Sequence, residues 1–193
     1  MGEVVSRVGV GGLTLARVGR HSGITASALV QRWGSRRRLL LAYAERAVAE
    51  AADFLSPPPA RGLLLAGLIE DLAGQVSDRS TPGEIANHLS FLQLDLTDPD
   101  FGVLAASHAR AVRQAILGRL REAAVRGEVA TEGLEELGTT LQVVYNGAVV
   151  TWAIDPVTES VREHVRNRLW AVLRMGSVLP NPAGGNQPTN SSR

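Results

Sequence analysis

The stretch from Thr14 to Leu39 constrains this chain most, because it reads as two short capped helices joined by a glycine stop and followed at once by a third helix start. Thr14 stands where an N-cap belongs, and Leu15, Val18 and Ser22 recur at three and four to give the first helix an inward face. Small Ala16 and Gly19 allow a second helix to come close. Gly23 supplies the positive φ of a tight exit, Ile24 is set to plug the corner, and Thr25 caps a new helix over 26–33. That helix turns Leu29 and Trp33 inward and leaves Ala26, Ser27, Val30, Gln31 and Arg32 outward. Such a face suits a DNA major groove: small residues permit close approach, and Gln31 and Arg32 offer hydrogen bonds to base edges. The third helix opens at Ser35 with Arg36, Arg37 and Arg38 in its first turn. Cations there oppose the helix dipole, and contact with phosphate accounts for them.

Charge is segregated along the chain. Residues 1–46 carry eight arginines against Glu3 and Glu45, whereas residues 47–193 carry twelve arginines against seventeen carboxylates, for a net +1 overall. A basic end on a near-neutral whole is what a nucleic-acid reader joined to a sensing or assembly part should show.

These residues resemble the TetR (tetracycline repressor) family of regulators. The matching elements are Leu13-Thr14, Ser22-Gly23-Ile24-Thr25, Leu29 and Trp33, and Gly34-Ser35-Arg36 leading into Leu39 and Leu40, within the first 46 residues. The resemblance implies an all-α chain with an N-terminal helix-turn-helix domain (1–46) and a helical effector-binding and dimerisation domain (47–178), while the end of the chain (179–193), rich in Pro, Gly, Asn and Ser from Pro180 on, is expected to be a disordered tail. It implies a homodimer on a palindromic operator in double-stranded DNA, released by a small apolar effector. The DNA-contacting set is then Thr14, Thr25, Ala26, Ser27, Val30, Gln31, Arg32, Arg36 and Arg37. Two positions depart from the family pattern: Val30 stands where an aromatic, most often Tyr, reaches a phosphate, and Arg36 replaces the usual Lys. A third departure is the first helix, for which only Met1 to about Val8 remains, with 9–12 as its exit loop. Either the start lies upstream or that helix is stunted, and the alternative function is a helical sensing dimer with impaired DNA binding.

Beyond the motif the pattern is helical throughout, over 36–54, 60–77, 82–96, 99–126, 131–153 and 156–176, with Pro82, Pro99 and Pro156 in first turns. The tract Ser56-Pro57-Pro58-Pro59 breaks the chain between its two parts. No cysteine is present, which excludes disulfides and thiol chemistry. The uncharged run 137–154 carries Thr139, Thr140, Gln142, Asn146 and Thr151 and is too polar for a membrane span. A cytoplasmic location is expected. The four histidines, at 21, 88, 108 and 164, lack metal-binding spacing, and no nucleophile elbow or nucleotide fingerprint appears. The chain is therefore read as a non-enzyme without cofactor or metal.

Two further sets complete the reading. Leu141, Val144, Gly147, Ala148 and Trp152 on one helix, with Val165, Leu169 and Val172 on the last, form an apolar surface suited to an intersubunit four-helix bundle. The bland alternative is that both helices complete the monomer's core. Rare polar or aromatic groups among aliphatic ones, His88, Phe91, His108, Tyr145 and Trp152, are the candidate effector contacts.

Overall fold

The computed structural model describes residues 2–55, 57, 62–156 and 158–176. Among them are nine α-helices and one 3₁₀ turn. The expected tail, 179–193, lies outside the described residues.

The first four helices are α1 (Gly2–Gly12), α2 (Leu15–Ser22), α3 (Ala26–Trp33) and α4 (Arg36–Glu50). The hydroxyls of Thr14, Thr25 and Ser35 accept the N–H groups of Arg17, Ala28 and Arg38, each at 3.2 Å, so all three caps form where the residue types place them. Gly23 and Gly34 leave α2 and α3 at φ 70° and 69°. Val4, Val5, Val10, Leu13, Val18, Leu29, Leu39 and Leu40 are buried together, with Phe101 from a later helix among them. Ile24 does not plug the corner: it is 45% exposed, because Gly19 already brings α2 against the turn.

The helix α1 leaves regular geometry at Gly9 (φ 65°, ψ 175°), just after the end expected at about Val8, and 10–12 form one further short turn where an exit loop was expected. The physical basis of this bend lies about 80 residues away, on α6 (Pro82–Thr97). Opening the helix at Gly9 frees the Val10 N–H and the Ser6 carbonyl. Ser90 Oγ accepts from Val10 at 2.8 Å, and Asn87 Nδ2 donates to Ser6 O at 2.8 Å. The chain thereby keeps both backbone groups satisfied while returning Val10 to the core.

The second cluster packs α5 (Leu64–Ala73), α6, α7 (Pro99–Val125), α8 (Leu134–Ile154) and α9 (Val161–Gly176) around Leu68, Leu72, Ile116, Leu120, Leu141 and Leu169. Helix boundaries follow local chemistry. Thr81 and Glu84 form a capping box at α6, and Pro99 opens α7 behind an Asp98 cap. α5 has no local side-chain cap; the Glu128 carboxylate accepts from Leu64 and Leu65 N–H, both at 3.0 Å. α9 starts at Val161 and not in the turn of Pro156, because Ser160 and Glu163 make the reciprocal capping contacts there. No helix among the described residues is long and apolar enough to cross a membrane.

Candidate nucleic-acid interface and effector cavity

On α3, Leu29 is buried and Trp33 half-buried, while Ala26, Ser27, Val30, Gln31 and Arg32 are all exposed on the other side. Val30 is 49% exposed, an apolar side chain left uncovered on a basic face. Arg32 lies over the Trp33 ring at 5.2 Å, which orients its guanidinium without consuming its hydrogen-bond donors. Thr14 and Thr25 sit at the N-termini of α2 and α3 as caps.

The arginines at the start of α4 divide. Arg36 donates to the Val10 carbonyl and ties α1 to α4. Arg37 reaches across to α7, donating to Asp98 at 2.9 and 3.0 Å and to Asp100 at 2.7 Å, and lies 5.7 Å from the Phe101 ring centre. Carboxylates at the N-terminus of α7 thus answer a cation that helix electrostatics alone leave unexplained. Arg38 has an exposed side chain at the same end of α4. Hydrogen bonding from Arg37 holds the Asp98 carboxyl below its ordinary range. The clasp therefore contributes above the unfolded carboxylate value and is lost as pH falls through the depressed one. Arg37→Ala should lower the melting temperature slightly in dilute salt, a loss that fades near 1 M, where screening acts over about 3 Å. An unchanged melt in dilute salt would count against the clasp.

A cavity of about 790 Å³ opens between α1, the loop after α5, and helices α6, α7 and α8. His88, Phe91, His108 and Tyr145 all line it. Ile85, Leu89 and Val149 supply apolar wall, and Ser77 and Ser80 supply hydroxyls from the loop. Desolvation pushes the Tyr145 phenol up to about 12 and lowers the His108 imidazole, so both are neutral near pH 7. Asp95 and Glu3 also line the cavity and were absent from the candidate set. Asp95 had a signal: it follows His88 and Phe91 at seven and four, on one face of α6. Glu3 had none, since only the fold carries α1 to this wall.

No family model matches the chain. The repressor "HTH-type transcriptional repressor AcnR" of Corynebacterium efficiens is 26% identical over 156 residues, which is 80% of this chain and 79% of that protein. A solved putative TetR-family regulator from Rhodococcus sp. superposes with a TM-score of 0.69 at 18% identity, over 90% of this chain and 92% of that one. The chain has the TetR-family fold. Thermus thermophilus FadR, a TetR-family repressor solved with lauroyl-CoA, shares the fold at TM-score 0.56 and 19% identity, over 96% of this chain and all (100%) of FadR.

Within this TetR-family fold the surface expected to join two subunits is largely internal. Leu141, Ala148, Trp152, Val165 and Leu169 are buried in the chain's own core, and Val144 and Val172 pack partly against it. Trp152, expected among the effector contacts, is not among the residues that line the cavity, and its indole N–H donates to the Glu159 carbonyl at 3.0 Å. The apolar stripe of α8 faces α6, α7 and α9, which cover it. Of the expected interface residues on α8, only Gly147 is exposed. It shares that outer face with Val143, 63% exposed, and Ile154, 77% exposed.

Proposed function

We propose that the chain is an effector-responsive, sequence-specific DNA-binding transcriptional regulator of the TetR family, acting as a repressor. The observation that carries this reading is the α3 surface: capped at Thr25, anchored by Leu29, and exposed at Ala26, Ser27, Val30, Gln31 and Arg32 beside the exposed arginines of α4. Gln31 and Arg32 read bases; Arg38, with the donors of Arg36 that the Val10 carbonyl does not take, meets phosphates, while the acidic partners Asp98 and Asp100 offset the charge of Arg37. One recognition helix reads few base pairs, so we assign the operator to a two-fold dimer, with the outer face of α8 at Val143, Gly147 and Ile154 as its joining surface.

The cavity is the effector site, and α6 is the element that connects it to the DNA-binding helices. His88, Leu89 and Phe91 face the effector, while Asn87 and Ser90 on the same turns hold the opened backbone of α1. An occupant that shifts α6 therefore acts directly on α1 and changes the bias between DNA-competent and released states.

Selection from a random duplex pool with the full chain should yield one inverted repeat, with affinity falling steeply as salt rises. Gln31→Ala or Arg32→Ala should then cost about 1–3 kcal/mol on the selected site and little on random DNA. Equal losses on both would take base reading away from those residues. Failure to bind any duplex at low ionic strength would overturn the function.

A further inference from the structure

We propose that the effector is an amphipathic organic cation, an amine or onium group on an apolar or aromatic body, with Asp95 as its counter-ion. The inference rests on reading the cavity as the effector site. Among the described residues no arginine lines the cavity, and the chain has no lysine, so an anionic ligand meets no permanent cation from them there. Two carboxylates line it instead, and they are not equivalent. Glu3 is already answered from outside the cavity, with Oε1 3.4 Å from Arg7 and Oε2 2.8 Å from His21 Nε2. Asp95 makes no side-chain hydrogen bond or ion pair among the described residues.

The group set against Asp95 electrostatically is His108, and desolvation holds that imidazole toward its neutral form. Partial burial also raises the Asp95 carboxyl, with His108 the charge that opposes the shift. A ligand cation supplies what that carboxyl lacks. The remaining wall suits the rest of such a ligand: Phe91 and Tyr145 offer aromatic faces to a cation or its substituents, and Ile85, Leu89 and Val149 take an apolar body. A carboxylate or phosphate ligand would instead stand near Asp95 and Glu3, beside an imidazole, His108, that desolvation holds toward its neutral form.

A set of aryl probes that differ in charge tests this on the full chain by titration calorimetry: tetraphenylphosphonium, its isosteric anion tetraphenylborate, and neutral triphenylphosphine oxide. The cation should bind about 10- to 100-fold more tightly than either of the others. Asp95→Asn should bring the three to near parity with the neutral probe's affinity kept, Asp95→Glu should retain the preference, and Glu3→Gln should leave it standing. Tighter binding of the anion, or a cation preference that survives Asp95→Asn, overturns the proposal. If the neutral or anionic probe binds best and releases DNA, the cavity remains the effector site and only the cation assignment falls. If no probe binds, both fall.

Discussion

Trp152→Ala should destabilise the chain by about 3–5 kcal/mol, one of the largest losses available to a single side chain here. The residue is 6% exposed and belongs to the larger core with Val149, Val161 and Val165, so truncation leaves a cavity where α8 meets α9. It also removes the donor that holds the connecting segment. The Glu159 carbonyl accepts the indole N–H at 3.0 Å, while the Glu159 carboxylate meets His164 Nδ1 at 2.9 Å and Asn167 Nδ2 at 2.7 Å. Losing the indole therefore loosens a segment whose other contacts orient the first turns of α9. Trp152→Phe separates the two effects: it keeps most of the apolar volume and should cost about 1–2 kcal/mol plus the smaller cavity. Urea melts followed by circular dichroism read both numbers. A variant with an unchanged melting midpoint but a halved sedimentation mass would return Trp152 to the surface between subunits.

That reversal marks the boundary of what was legible in the sequence. Where a residue type answers a backbone need of its own helix, the reading and the structure agree: Thr14 and Thr25 cap, Gly23 exits, the third motif helix opens at Ser35, and Pro82 and Pro99 open helices. The i, i+3, i+4 stripe of α8 said that a face is covered, and nothing in a periodicity says by which chain. Long-range partners were equally silent. The bend at Gly9 depends on Asn87 and Ser90, the start of α5 on Glu128, and the pairing of Arg37 on Asp98 and Asp100. At the cavity, aromatic and histidine side chains stood out because they are rare among aliphatic neighbours, whereas Asp95 passed as an ordinary helix-surface carboxylate. Its consequence appears only once the fold shows that, among the described residues, no arginine shares the cavity with it.

Gly19→Val should cost about 3 kcal/mol or more and abolish sequence-specific DNA binding. A Cβ at this position would lie 2.4 Å from the Ile24 carbonyl oxygen, 3.4 Å from Leu29 Cδ1 and 3.5 Å from the Ala26 N. The first of these is backbone, which cannot swing aside as a long side chain can. The helices α2 and α3 must then separate, and with them the Leu29 anchor that sets how far the outward face of α3 projects. Gly11→Ala is the matched control, because nothing lies within 4 Å of its added Cβ. It removes a glycine from a helix and should be neutral or stabilising by about 0.5–1 kcal/mol. Gly23→Ala isolates the other role of glycine in the motif: its Cβ also meets open space, yet φ is 70°, so the cost is conformational, about 1–2 kcal/mol. Melting curves and duplex titrations on the three variants should rank the losses Gly19, Gly23, Gly11. The probe-binding cavity should remain intact in the Gly19 variant, since none of the residues displaced there lines it. If Gly19→Val melts and binds DNA like the parent chain, the close approach of α2 to the turn is not what positions α3.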